Sequence, residues 1–236
     1  MKTILISGGD GCYAKKLKEC NTDYKIISPS KSDMDITDVN KLDHILSSTK
    51  PDYFIHAGAF VRPMKLHKEN PEKSIMVNIM GTSNVVLACM KYKVKLIFIS
   101  TDFVYPGDRG CYSEDDALLP VNKYAWSKLG GECAVKLYDN SLILRISMTN
   151  NPFTHSKALV DCYRSLIFDD DAAELTLSLL DEFGTINVGG DPKSIYEFMQ
   201  GHNPCIEKTY LSEIKNVNMP NNVTLNLDKL KGILKK

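Results

Sequence analysis

Tyr124 and Lys128, in Tyr124-Ala125-Trp126-Ser127-Lys128, stand one helical turn apart on one face of a predicted helix. A phenol with a pKa of about 10 is a poor acid or base at neutral pH. An ammonium held beside it favours the phenolate and draws its pKa toward the working range. A hydroxyl stands nearby in the sequence logic. Thr101 follows the apolar run Leu96-Ile97-Phe98-Ile99, at the edge of a strand where open α/β sheets bind ligands. Its hydroxyl can donate to a carbonyl oxygen. Ser100 is the rival for that position, because successive strand residues point to opposite faces.

These groups need elements to hold them. Short β-type runs at Thr3–Ser7, Tyr24–Ser28, Tyr53–His56, Lys95–Ser100 and Ser141–Ile146 alternate with helical patterns near Tyr13–Cys20, Asp38–Ser47, Glu72–Lys91 and Asn122–Tyr138. Apolar strands alternating with helices predict a parallel sheet covered on both faces. Beyond residue 145 the pattern changes. A helix over Asp170–Asp181, a strand Thr185–Val188 and a helix near Ser194–Gln200 precede a polar tail.

The first strand runs into Gly8-Gly9-Asp10-Gly11-Cys12-Tyr13-Ala14, a G-x-x-G-x-x-A turn that opens a helix. Gly8 permits the tight turn, Gly11 lets backbone approach a pyrophosphate, and Ala14 lets the helix lie close to the sheet. In this position the turn predicts a dinucleotide site, with Cys12 and Tyr13 beginning the anion-facing helix. The second strand ends in Ile27-Ser28-Pro29-Ser30-Lys31, without the carboxylate that would bind an adenosine 2′-hydroxyl. That favours NADP(H) and leaves NAD(H) open.

Ser100-Thr101-Asp102-Phe103-Val104-Tyr105, Pro120-Val121-Asn122-Lys123-Tyr124 and Ser127-Lys128-Leu129-Gly130-Gly131-Glu132 resemble the extended short-chain dehydrogenase/reductases, and within them the dTDP-4-dehydrorhamnose reductase group. The resemblance implies an α/β fold: a Rossmann-type doubly wound parallel sheet with a small, reduced C-terminal substrate lobe. Residues 1–145 would form the dinucleotide-binding domain with the catalytic residues. Residues 146–236 would complete the core and supply the lobe. It implies an NAD(P)-dependent oxidoreductase that reduces a nucleoside-diphosphate 4-keto-6-deoxy sugar, with Thr101, Tyr124 and Lys128 as the catalytic triad. Lys128 would also bind the nicotinamide ribose.

By the same resemblance Asp35 and Ile36 contact the adenine, and Ala57, Gly58 and Ala59 line the cofactor after His56. Asn78 supports the active site, and Asp102 joins Thr101 at the substrate. Asp38 reads instead as a helix N-cap. The stretch Ile146–Asp169 is shorter than in the group, through a reduced lobe or an omitted segment. Two alternatives stay open: an epimerase or dehydratase of the same superfamily, and a dinucleotide-binding regulatory subunit without catalysis. The missing Asp-Glu pair after Thr101 disfavours the dehydratase.

Lys and Arg together number 29, as do Asp and Glu, so no global field points to nucleic acid or an anionic membrane. Seven scattered cysteines without a CxxC pair imply a reducing compartment rather than a disulfide or zinc framework. No signal-peptide pattern or apolar run of about 20 residues is read from the sequence, giving the expectation of a cytoplasmic protein with no membrane partner. Trp126, within the Tyr124–Lys128 motif, either packs outward at an oligomer surface, compatible with a homodimer, or shapes the pocket.

Overall fold

The computed structural model describes residues 1–215 and 218–235. Five strands form first: β1 (Thr3–Ser7), β2 (Lys25–Ile27), β3 (Tyr53–His56), β4 (Lys95–Thr101) and β5 (Ser141–Ile146). Helices α1 (Cys12–Glu19) and α2 (Val39–Thr49) connect the first three. Between β3 and β4 run α3 (Leu66–Glu69), α4 (Pro71–Ser74), a π-helical segment Ile75–Gly81 and α5 (Thr82–Tyr92), and α6 (Lys123–Val135) precedes β5. Asp38 caps α2 by accepting from the amides of Asn40 and Lys41, as its sequence position predicts.

After β5 come short strands β6 (Met148–Thr149), β7 (Lys157–Leu159), β8 (Tyr163–Arg164) and β9 (Ile167–Phe168), then α7 (Asp169–Ser178) and β10 (Gly184–Val188). The chain continues through β11 (Lys193–Ser194), α8 (Ile195–Gln200), β12 (Glu207–Thr209) and α9 (Asp228–Leu234). The six-stranded sheet has the order β10-β5-β4-β3-β1-β2 and is parallel throughout. Winding reverses between β1 and β3, which opens a crevice at their carboxyl ends.

Strict alternation along the strands divides the core. Ile4, Ile6, Ile97, Ile99, Leu142 and Leu144 face one side, in a cluster with Leu17 of α1 and Ala172 and Ala173 of α7. Leu5, Phe54, Leu96, Phe98 and Ile143 face the other, with Leu42, Leu46, Val85, Val86 and Cys89. The continuous apolar strands seen in the sequence arise because both faces are covered.

The helical stretch Pro71–Tyr92 is long and apolar enough by length and composition to cross a membrane, contrary to the reading of the sequence. Its composition reflects a helix packed on the sheet: Asn78, Thr82, Val85, Val86 and Cys89 are buried.

Beyond β5, short pairs replace long strands: β6 with β9, β7 with β12 and β8 with β11. Ala158, Met199 and Ile206 form a small separate apolar cluster. The segment read as a polar tail contains buried Val223, Leu225, Leu227 and Leu230. It crosses the sheet edge as a strap, with Tyr112 N donating to Thr224 O at 3.0 Å and Asn226 N to Tyr112 O at 2.8 Å. Gly107, at φ 83°, leaves no room for a side chain, since a Cβ there would lie 2.2 Å from Pro220 Cβ. The loop beside it therefore locks onto the strap.

Candidate active site

Gly8 adopts φ 75° directly after β1, and a Cβ on it would lie 2.8 Å from Gly58 Cα. The two loops that border the crevice thus touch through bare backbone. Gly11 is the N-cap of α1, and no side chain caps that helix. Its first amides are left for a ligand, which suits an anionic pyrophosphate. Cys12 is exposed at this end. Tyr13 points elsewhere: its hydroxyl donates to Ala172 O at 3.0 Å and pairs with Thr176 Oγ1 at 2.7 Å. Its side chain ties α1 to α7, so only its backbone remains for the cofactor role assigned from sequence.

At the end of β2, Lys31 N donates to Asp10 Oδ2 at 3.0 Å, and Ser30 Oγ to Asp33 Oδ2 at 2.6 Å. Ser28 Oγ is buried beside Gly9 without a hydrogen-bond partner among the described residues. Asp35 faces partial burial, which would raise its pKa. The net direction is nonetheless down, because Thr37 donates to Oδ1 from its amide (3.0 Å) and hydroxyl (2.8 Å), with Lys31 adding a charge. Ile36 is buried against Gly81. Ala57, Gly58 and Ala59 are half-buried along the crevice.

A chain of buried polar groups joins this crevice to α6. Thr82 Oγ1 donates to Asn78 O at 2.8 Å, so it can only accept from His56 Nε2, at 3.0 Å. His56 Nδ1 then accepts from Ser7 Oγ at 2.7 Å, and Ser7 Oγ accepts from Gly58 N at 3.0 Å. The imidazole is neutral. Burial first, and the Lys128 charge second, press its pKa to about 3. Asn78 sits on the π-helical segment, where its carboxamide accepts from Phe60 N (2.7 Å) and donates to Phe60 O and Ser127 Oγ (both 2.8 Å). Such a widened turn is frequent at functional sites. Asn78 thus takes the supporting place expected of it.

Thr101, Tyr124 and Lys128 come together at the carboxyl end of β4. Thr101 Oγ1 donates to Asp102 Oδ1 at 3.2 Å and accepts from Phe103 N at 3.3 Å, and its hydroxyl is near enough to the Tyr124 phenol to favour the phenolate. Ser100, the rival hydroxyl, faces away and donates to Glu132 Oε1 at 2.5 Å. The neighbouring pair settles one expectation differently. Burial, with the Asp102 carboxylate second, pushes the Tyr124 phenol up to about 12, against the Thr101 hydroxyl and the charges of Arg164 and Arg62.

Lys128 does not draw the phenol down, because its ammonium turns into the protein. Nζ donates to Ile99 O at 2.7 Å and stands 4.1 Å from the Phe98 ring centroid. Burial lowers its own pKa to about 7, opposed by Glu132. The structure therefore holds Tyr124 protonated at neutral pH, as a proton donor must be.

Asp102 also departs from its expected place at the substrate. Its carboxylate is fully buried, accepting from Arg164 Nε at 2.8 Å and Nη2 at 2.5 Å. With both oxygens engaged by Arg164, the Asp102 carboxylate is held in place beside Thr101. Arg164 was not read from the sequence, since nothing in local pattern links it to a residue 62 positions away. His67 was also missed. Its Nε2 donates to Val61 O at 3.1 Å and its Nδ1 accepts from Ser74 at 2.9 Å, setting the ring 5.2 Å from that of Tyr124. Beneath the site, Arg145 donates to Glu132 Oε2 at 3.0 Å and to Tyr105 OH at 2.8 Å, with both charged side chains fully buried.

The family model described as RmlD substrate binding domain matches residues 1–171. A dTDP-4-dehydrorhamnose reductase of Aggregatibacter actinomycetemcomitans is 30% identical over 154 residues, covering 63% of this chain and 52% of the relative. A methionine adenosyltransferase 2 subunit beta of Pongo abelii is 31% identical over 157 residues, covering 61% and 46%. The chain thus spans about half the length of the curated relatives it matches. Among solved structures, a dTDP-4-dehydrorhamnose reductase from Bacillus anthracis in complex with NADP superposes with TM-score 0.87 at 24% identity, covering 98% of this chain and 92% of that one. A hypothetical dTDP-4-dehydrorhamnose reductase from Sulfolobus tokodaii gives 0.87 at 25% identity, covering 100% and 96%. The structural likenesses agree with the doubly wound sheet, and the chain belongs to the RmlD substrate-binding-domain family.

Proposed function

We propose that this chain is an NADPH-dependent reductase of a nucleoside-diphosphate 4-keto-6-deoxy sugar. The observation that carries the reading is the nearness of the Thr101 hydroxyl to the Tyr124 phenol at the carboxyl end of β4, where open α/β sheets bind ligands. Gly8, Gly11 and the uncapped end of α1 would hold the pyrophosphate. Ser28 Oγ at the end of β2 has no partner among the described residues, and Ser30 and Lys31, engaged with Asp33 and Asp35, would exchange those carboxylates for a phosphate. They would take the 2′-phosphate that separates NADPH from NADH. When bound, the dinucleotide supplies a hydride.

The residues of the chain do the rest. Thr101 orients the carbonyl oxygen through its hydroxyl, and Tyr124 gives that oxygen a proton. The phenolate left behind is an unfavourable anion in a buried site. The positive charges of Arg62 and Arg164, already acting on Tyr124, compensate it. Lys128, next on the same helix face, would serve the nicotinamide ribose only on leaving the carbonyl of Ile99 that its ammonium now holds. The region from residue 146 onward would form a small substrate lobe that reaches the centre through Arg164.

A second reading has its own support in the 31% identity with a methionine adenosyltransferase subunit beta: a dinucleotide-binding regulatory chain without turnover. Oxidation of NADPH, followed with a panel of 4-keto-6-deoxy sugar nucleotides, separates the two. Turnover with at least one of them supports the reductase. NADPH binding with no turnover on any supports the regulatory reading.

A further inference from the structure

At the opposite, amino-terminal edge of the sheet, Lys95 begins β4 with only 7% of its surface exposed. Its Nζ has no hydrogen-bond partner among the described residues and stands over the Phe183 ring. It borders a cavity of about 290 Å³ lined also by Lys2, Asp52, Tyr53, Asn140 and Asp181. The carboxylates there are engaged. Asp181 accepts from Tyr53 OH at 2.6 Å and lies 3.8 Å from Lys2 Nζ, while Asp52 accepts from Thr3 N at 2.7 Å. Lys2 in turn donates to Tyr53 OH at 2.6 Å. Of the charged residues lining the cavity, Lys2, Asp52 and Asp181 have hydrogen-bond partners, whereas Lys95 Nζ has none among the described residues.

A buried ammonium without an acceptor is strongly disfavoured, and a small-molecule oxyanion is the simplest group that supplies both acceptor and charge. We propose that this cavity is a binding site for a small oxyanion, a carboxylate or a phosphate, held by Lys95 with Phe183 in its wall. Asn140, whose Nδ2 reaches only a long 3.4 Å contact with Tyr138 OH, can donate to the same ligand. Phe183 is 58% exposed and lines the cavity beside Lys95, preceding Gly184 at φ 79°. Without a ligand, burial draws the Lys95 pKa down to about 8 against the pull of Asp181 and Glu182. The site lies at the far end of β4 from Thr101 and does not depend on the reductase reading.

The test uses inorganic phosphate and, separately, acetate as probes, each against sodium chloride at equal ionic strength. Anything that binds only the native state raises the unfolding temperature. Wild type should show a rise with phosphate, acetate or both, and the responding probe identifies the kind of oxyanion. Lys95→Met keeps the stem and removes the charge, so it should fold and lose that rise. Asn140→Asp, which replaces a donor with a repelling charge, should weaken the response about tenfold in midpoint concentration. An equal rise in wild type and Lys95→Met, or no rise with either probe in wild type, overturns the proposal.

Discussion

The six-stranded sheet and the region that follows β5 are held together by different means. β4 is seven residues long and buried throughout, with apolar clusters on both of its faces. Beyond β5, the added strands outside the main sheet are two or three residues long, and their separate apolar cluster has three buried members. Those short pairs are secured by polar clips, Arg164 on Asp102 and the strap on Tyr112, while the strap's Val223, Leu225, Leu227 and Leu230 join the main apolar cluster. A parallel sheet buried on both faces derives its rigidity from area removed from water. A lobe with few apolar contacts opens locally at lower free energy. The division suits a rigid cofactor platform beneath a more yielding substrate side.

The largest break expected in the rigid half is Glu132→Ala, which strands Arg145 as a buried, uncompensated charge. Loss of one partner from a buried pair costs about 3–5 kcal/mol. Urea unfolding should show that loss, and a cost below about 1 kcal/mol would contradict a structural role for the pair.

Acid probes the same half. His56, with its folded pKa near 3 against an ordinary 6.5, binds fewer protons in the native state than in the unfolded chain. Stability from this group is full above about pH 6.5 and falls as the pH drops toward 3, by on the order of 4 kcal/mol at the limit. The urea midpoint measured across that window should fall steeply in wild type and less in His56→Gln. Parallel profiles would mean that His56 is not the group responsible.

In the lobe, Arg164→Met leaves Asp102 buried and unpaired, at a cost of about 3 kcal/mol. The comparison sharpens here, because the effect should be local. Hydrogen exchange should accelerate in Tyr163–Arg164 and the strap while α5 remains protected; uniform acceleration would mean one cooperative unit. The smallest effect belongs to the exposed pair Lys157–Glu207, 3.5 Å apart between β7 and β12. Lys157→Ala should change stability by less than about 1 kcal/mol.

The same division decided what could be read from the sequence. β1, β3 and β5 were legible to the residue, since unbroken apolar runs bounded by turn residues leave little freedom. The helical spacing of Tyr124 and Lys128 was legible in the sequence, whereas the choice of Thr101 over Ser100 came from the family resemblance and agrees with Ser100 facing Glu132. Arg164 and the strap were not legible, because their partners lie 62 or more residues away and their own segments carry no periodic pattern. The direction of the Tyr124 shift was not legible either. Spacing puts Lys128 on the correct face, but the carbonyl of Ile99 that captures its ammonium belongs to another element. Tyr13 and Asp102 failed for a related reason: a motif gives a residue's position, and the fold decides which neighbour takes its side chain.

The central claim is that Tyr124 delivers the proton during carbonyl reduction. The direct measurement is single-turnover oxidation of NADPH with a sugar nucleotide that the wild type reduces, compared with Tyr124→Phe, alongside NADPH affinity by fluorescence titration. The account predicts a rate lower by about 10²–10⁴-fold with affinity nearly unchanged, because only the phenolic hydroxyl is lost. Equal rates in wild type and Tyr124→Phe would contradict it.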